Sequence, residues 1–257
     1  MDTHELRATA ARALSLLDLT NLKDDCTPAA IEALCERALT PYGHTAAICI
    51  WPRFVPQARA LLNGETPVRI ATVVNFPSGD MKTEDVVAET RDAIADGADE
   101  IDVVVPYRAL ISGDEQAVSD MVASVKAACG PTITLKTILE TGEIKDMALV
   151  RRASELAIEA GADFIKTSTG KVAVNATLEA ADTMLQAIRD SRKKVGFKPA
   201  GGISTVADAA LYLRLADTIM GEDWVMPSTF RFGASGLLDD ILSVLGGVRA
   251  SAGASDY

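Results

Sequence analysis

Three lysines stand in or at the end of short apolar runs: Lys136 in ITLKTIL, Lys166 in DFIKTSTGK and Lys198 in VGFKPAGG. An aspartate, Asp102, sits in a similar run, EIDVVVP. An ammonium at a buried strand end costs free energy unless something there uses it. Lysine becomes a nucleophile only when neutral, far below its reference pKa of about 10.4. Desolvation and a neighbouring cation both favour the neutral amine. Lys166 is the candidate reacting amine. Lys198, on the next strand, is the candidate neighbouring cation, and Asp102 can hold a water and relay protons. The competing reading is a structural ion pair between one lysine and Asp102. Two lysines on adjacent strands, each just before a small-residue turn, weigh against it. Lys136 is a rival nucleophile, but it lies mid-strand with Glu140 on the same face by period two. Pairing with Glu140 or Asp102 is its expected role.

A second chemistry is anion binding. Lys198 is followed by Pro199-Ala200-Gly201-Gly202, and Phe232 by Gly233-Ala234-Ser235 ahead of an apolar helical run. Glycine lets backbone approach a ligand closely, and a helix N-terminus favours an anion. Lys171 can reach the same place. The plainer reading is that these glycines only make tight turns. Around this set stand accessory candidates: Thr169 in the turn after Lys166, Asp18 and Thr20 as site groups or helix caps, and Cys49 as a small core residue rather than a nucleophile. Tyr257 is either frayed or folds back over the site to shuttle protons.

Several classes drop out. There are only two histidines, His4 and His44, with His4 expected at a frayed terminus, so a three-histidine zinc site cannot form within one chain. The TGK at 169–171 is no P-loop, because Ile165 stands where its first glycine belongs and Val172 where Ser or Thr does. GASG at 233–236 is followed by Leu237, not by the glycine of a nucleophile elbow. A net charge of -11 disfavours nucleic acid and anionic membranes as partners. The four cysteines, Cys26, Cys35, Cys49 and Cys129, show no framework spacing, and no run is long enough to span a bilayer. These features predict a cytoplasmic protein with reduced thiols.

The elements that must position these groups alternate. Strands are predicted near Leu16–Leu19, Ala46–Trp51, Arg69–Asn75, Glu100–Pro106, Ile133–Leu139, Phe164–Thr167, Val195–Lys198 and Arg231–Gly233. Amphipathic helices are predicted over Thr83–Asp96, Gln116–Cys129, Lys145–Ala160 and Leu178–Ser191. The strands are apolar on both faces, as parallel strands covered on both sides should be. Eight such units in 257 residues predict an α/β chain forming a single-domain (β/α)8 TIM barrel over 1–257, with a short polar, flexible tail at about 247–257. An internal echo supports it. Gly97-Ala-Asp and Gly161-Ala-Asp each join a helix end to a strand, 64 residues apart. That is two βα units of about 32 residues. Asp102 and Lys166 lie at the same offset from their glycines, so they should share one interior layer.

The stretches ADEIDVVVPYRAL (98–110), ADFIKTSTGKVAVNAT (162–177), VGFKPAGG (195–202) and FRFGASGLL (230–238), with DLT (18–20) and HTAAICIWPRF (44–54), resemble deoxyribose-phosphate aldolase of the enterobacterial type. The resemblance runs over nearly the whole chain. It implies a cofactor-free class I aldolase on a TIM barrel, interconverting 2-deoxy-D-ribose 5-phosphate with D-glyceraldehyde 3-phosphate and acetaldehyde. The Schiff-base lysine falls on Lys166, the second lysine on Lys198 and the relay aspartate on Asp102. The phosphate contacts fall on Lys171, Gly201, Gly202, Gly233 and Ser235. Gly236 stands where the family pattern has a second serine, which bears on phosphate affinity rather than on the aldol chemistry. The expected partners are a small phosphorylated sugar and aldehydes, with self-association left open. Another class I aldolase or transaldolase, and a non-catalytic phosphosugar-binding barrel, are the alternative readings.

Overall fold

The computed structural model describes residues 2–63 and 66–247. Its main sheet has eight strands: β1 (Leu17–Asn21), β2 (Ala47–Ile50), β3 (Arg69–Val74), β4 (Glu100–Val104), β5 (Thr134–Ile138), β6 (Phe164–Lys166), β7 (Gly196–Lys198) and β8 (Phe232–Ala234). Neighbours from β1 to β7 pair in parallel in chain order, and β8 pairs in parallel with β1. Parallel bridges Phe197–Phe230 and Ala200–Gly233 join β7 to β8 and close the cylinder. The fold is a (β/α)8 barrel. Tyr257 and positions 248–257 of the expected tail lie outside the described residues.

The Gly-Ala-Asp echo has a clear local cause. Gly97 and Gly161 take positive φ, 106° and 102°, just past the helices Thr83–Ala95 and Met147–Glu159. Ala98 and Ala162 then donate their amides back to Ala93 and Ala157, each at 3.0 Å, which closes the helix end. The aspartates finish the turn. Asp99 accepts the Ile70 amide and Asp163 the Leu135 amide, each at 2.8 Å on the preceding strand. Each turn therefore sets the height at which the next strand enters the barrel.

Register then fixes the interior. Asp102 is opposite Lys136, and Lys166 is opposite Ile138, two residues further along β5. A two-residue step over two strands is the stagger a tilted eight-stranded barrel needs to keep one layer level. Asp102 and Lys166 therefore share a layer, with Cys49 and Gly233 completing it. The layer beneath holds Asp18, Ala71, Lys136 and Lys198. Below that lie Ala47, Glu100, Phe164 and Arg231. The apolar core sits outside the cylinder, between strands and helices. In Met147–Glu159, for example, Val150, Ala153, Leu156 and Ala157 form the buried face.

Three local features depart from the sequence expectations. His4 lies in the first turn of the helix Thr3–Ser15, whose N-terminus Asp2 caps by accepting the Glu5 amide. Ala10, Ala13 and Leu14 bury its inner face, so this segment is docked rather than frayed. The helix expected from Lys145 begins at Met147, because Lys145 takes positive φ and the Asp146 carboxylate caps the new start. An antiparallel pair, Leu39–Thr40 with Gly43–His44, precedes β2 outside the barrel; two residues per strand is too short for a periodicity signal.

Candidate active site

The barrel interior holds a continuous ion-pair network. Lys166 Nζ donates to Asp102 Oδ2 at 2.9 Å, and Lys198 Nζ donates to the same oxygen at 2.8 Å. Lys198 also donates to Asp18 Oδ2 at 2.5 Å. Lys136 Nζ lies 2.8 Å from Asp102 Oδ1 and 2.6 Å from Glu100 Oε2. Arg231 donates to Asp18 Oδ1 at 2.6 Å and to Glu100 Oε1 at 2.9 Å. All seven side chains are buried. Four cations face three carboxylates, so the fully charged cluster carries one excess positive charge.

The network orders the titrations. Burial pushes the Asp102 carboxyl up, but Lys136, Lys166 and Lys198 outweigh it and hold it well below the usual carboxylate range. Asp18 is also held low, with Lys198, Arg231 and Lys136 overcoming its burial. Burial lowers Lys198, but Asp102 and Asp18 more than offset this and keep it cationic. Lys136 is likewise raised, by Asp102, Glu100 and Asp18 against burial. Lys166 differs in place. It meets a single carboxylate, and it is the lysine of the three that lines an open cavity of about 550 Å³.

That cavity connects Lys166 with the glycine turns. Gly201, Gly202, Gly233 and Ser235 line it, as do Thr20, Thr169 and Lys171. Gly201 and Gly202 both take positive φ, 83° and 81°, a backbone that L side chains rarely adopt. A Cβ on Gly233 would meet Ala200 Cβ at 2.7 Å and Lys198 Cε at 3.1 Å, so this glycine leaves room for the Lys198 side chain. The helix Leu237–Gly246 opens at Gly236 with no side-chain cap. Its first-turn acids are engaged: Asp239 accepts from Arg37 at 2.5 Å, and Asp240 accepts the Val206 amide at 2.6 Å. Lys171 Nζ is 3.0 Å from Asp24 Oδ1, in the loop after β1, and 5.8 Å from the Trp51 ring centroid.

Most of the residues singled out in the sequence therefore converge. Asp18 belongs to the network rather than to a helix cap; Thr27 caps the helix Pro28–Arg37 that follows. Thr20 lines the cavity while its hydroxyl donates to the Asp18 carbonyl at 2.9 Å. Cys49 is fully buried, and burial pushes its thiol up, which fits a core residue. Lys136 pairs with Asp102 and Glu100 but not with Glu140, because β5 ends at Ile138 and Glu140 has left-handed backbone. Glu140 instead accepts from Thr169 Oγ1 at 2.6 Å. Glu100 and Arg231 were missed. Their signal was period two: Glu100 precedes Asp102 by two residues, and Arg231 precedes Gly233 by two. Among the described residues no group of three His, Cys, Asp or Glu side chains is arranged to hold a metal ion, and no helix is long and apolar enough to cross a membrane.

Residues 12–239 match the model of the DeoC/LacD family aldolases. The chain belongs to that family. As a DeoC/LacD aldolase it is a lyase built on the barrel described above. It is 68% identical over 257 residues to the deoxyribose-phosphate aldolase of Agrobacterium fabrum, covering 100% of this chain and 99% of that one. A crystal structure assigned to a deoxyribose-phosphate aldolase of Toxoplasma gondii superposes on this DeoC/LacD chain with a TM-score of 0.88 at 25% identity, covering 97% of this chain and 98% of the other. The tetrameric deoxyribose phosphate aldolase of Aeropyrum pernix shares the fold, with a TM-score of 0.74 at 22% identity over 97% and 99% of the two chains.

Proposed function

We propose that this chain reversibly cleaves 2-deoxy-D-ribose 5-phosphate to D-glyceraldehyde 3-phosphate and acetaldehyde through a Schiff base on Lys166. One observation carries the assignment. Lys166 alone of the three interior lysines lines the cavity, and its amine shares Asp102 Oδ2 with the cationic Lys198. Neutral Lys166 attacks C1 of the open-chain sugar, and the carbinolamine loses water to give an imine. The imine withdraws the electron pair of the C2–C3 bond. The C3 hydroxyl gives its proton to a water at Asp102, the bond breaks, and glyceraldehyde 3-phosphate departs. The remaining enamine is protonated at C2 and hydrolysed, which releases acetaldehyde and restores Lys166. Lys198, kept cationic by Asp102 and Asp18, sets a positive charge on the oxygen that Lys166 also engages.

The phosphate end of the substrate lies against Gly201, Gly202, Gly233 and Ser235, with Lys171 approaching from the loop after β6. Positive-φ glycines and an uncapped helix start are the supporting features. The same reading places the reaction in the cytoplasm, in deoxyribose phosphate catabolism, as Cys26, Cys35, Cys49 and Cys129 are all unpaired thiols. Self-association belongs to it too, given the tetrameric Aeropyrum pernix relative, and sedimentation velocity is the check. Borohydride reduction in the presence of acetaldehyde, followed by peptide mapping, tests the chemistry. An ethyl group on Lys166 is expected. An adduct on Lys136 or Lys198, or none, would overturn the mechanism.

A further inference from the structure

Glu140 is fully buried just beyond the end of β5, and its backbone is left-handed, with φ 60° and ψ 56°. A non-glycine residue keeps that conformation only where its surroundings over-determine it. Here they do. Thr169 donates its amide to Glu140 Oε1 at 3.2 Å and its hydroxyl to Oε2 at 2.6 Å. The next residue, Thr141, donates its amide to the Thr167 carbonyl at 2.9 Å. Gly142 follows so close to the same loop that a Cβ there would stand 1.9 Å from the Val174 carbonyl oxygen. The turn after β5 is thus fastened along the loop after β6. One more bond extends the chain: the Lys171 amide donates to Thr169 Oγ1 at 3.0 Å.

We infer that Glu140 is a positioning residue for Lys171, acting through Thr169, and thereby sets the preference for a phosphorylated substrate. The inference rests on the phosphate assignment above. A carboxylate suits the task because its two oxygens engage both the amide and the hydroxyl of Thr169. With the hydroxyl proton committed to Glu140, a lone pair of Oγ1 is left to accept the Lys171 amide. The root of the loop is then fixed, and only the Lys171 side chain must exchange Asp24 for a phosphate. Less freedom is lost on binding when the loop is already ordered.

The test compares turnover of 2-deoxyribose 5-phosphate with that of unphosphorylated 2-deoxyribose. Glu140→Gln keeps the shape but replaces one acceptor oxygen by a donor. It should lower the ratio of the two kcat/KM values by about tenfold, through KM of the phosphate ester, as expected for one weakened charged hydrogen bond. Turnover of the unphosphorylated sugar should not change. Thr169→Val should lower the same ratio, and Thr169→Ser should restore it; these variants also carry the test if Glu140→Gln does not fold. In a Lys171→Met background, Glu140→Gln should add nothing. Equal losses on both substrates, additive losses with Lys171→Met, or a shifted pH profile for the unphosphorylated sugar would each overturn the inference. A wild-type chain that forms the Lys166 adduct but does not prefer the phosphate ester would remove the phosphate assignment and this inference with it. An intact wild-type preference that Glu140→Gln leaves untouched would remove this inference alone.

Discussion

Lys166 and Lys198 donate to the same oxygen, Asp102 Oδ2, at 2.9 and 2.8 Å. One carboxylate oxygen thus fixes where both amines stand relative to each other. Lys198 has a second carboxylate, Asp18, and Lys166 does not. Replacing Lys198 by Met should therefore leave Lys166 as the one lysine on Asp102 Oδ2. Activity at neutrality, read as kcat/KM, is expected to fall by about 10²-fold or more. An unchanged kcat/KM would mean that Lys198 takes no part in the chemistry.

Lys136 should affect stability more than chemistry. It is fully buried between Asp102 and Glu100. Lys136→Met leaves those carboxylates short of a partner, and breaking a buried pair costs about 3–5 kcal/mol. Urea unfolding should show this loss, while the folded fraction still forms the Lys166 adduct with acetaldehyde. Loss of the adduct in folded protein would give Lys136 a chemical role.

Two glycines on the cavity wall should behave oppositely. Gly236 has φ -97°, and a Cβ added there meets nothing within 4 Å. Gly236→Ser is expected to fold normally and to lower KM for the phosphate ester by about fivefold, the worth of one hydroxyl hydrogen bond. Weaker binding would contradict the placement of phosphate at this helix start. At Gly233, an added Cβ would crowd Ala200 and the Lys198 Cε atom. Gly233→Ala should therefore lower kcat by displacing Lys198, and an unchanged kcat would refute that coupling.

The network also predicts a stability plateau. Asp18 and Asp102 have folded pKa values below their unfolded ones, so their contribution is present above about pH 4 and is lost as pH falls through the folded values. In that range the unfolded chain binds more protons, so stability declines with acidification. Lys136 and Lys198 have raised folded values; their contribution is full below about pH 10.4 and is lost above it. Urea midpoints measured against pH should thus fall at both ends. An acid limb of the same steepness in Asp18→Asn would show that this network does not set it.

Local sequence patterns carried much of this. Alternating apolar strands and amphipathic helices defined a (β/α)8 barrel, because each strand needs cover on both faces. The Gly97 and Gly161 turns set equal offsets to Asp102 and Lys166, so a shared layer was legible in the sequence. The family resemblance named the substrate and the glycine turns that would face its phosphate. Glu100 and Arg231 were legible only by counting two residues back from Asp102 and Gly233. The role of Glu140 was not legible, because period two assumes extended backbone and Glu140 leaves it.

What the sequence determined by itself was the kind of element, the shared face of Asp102 and Lys166 and the presence of a lysine that had to be used. Which carboxylate meets which lysine was decided only by closure of the barrel. Asp18 and Lys198 are 180 residues apart, and Asp18 and Arg231 are 213 apart. No local periodicity links them. Their contacts exist because β8 closes against both β1 and β7, and the stagger of the closed cylinder sets the layers. Once Lys136 and Lys198 are enclosed by acids, Lys166 is the amine left facing the cavity.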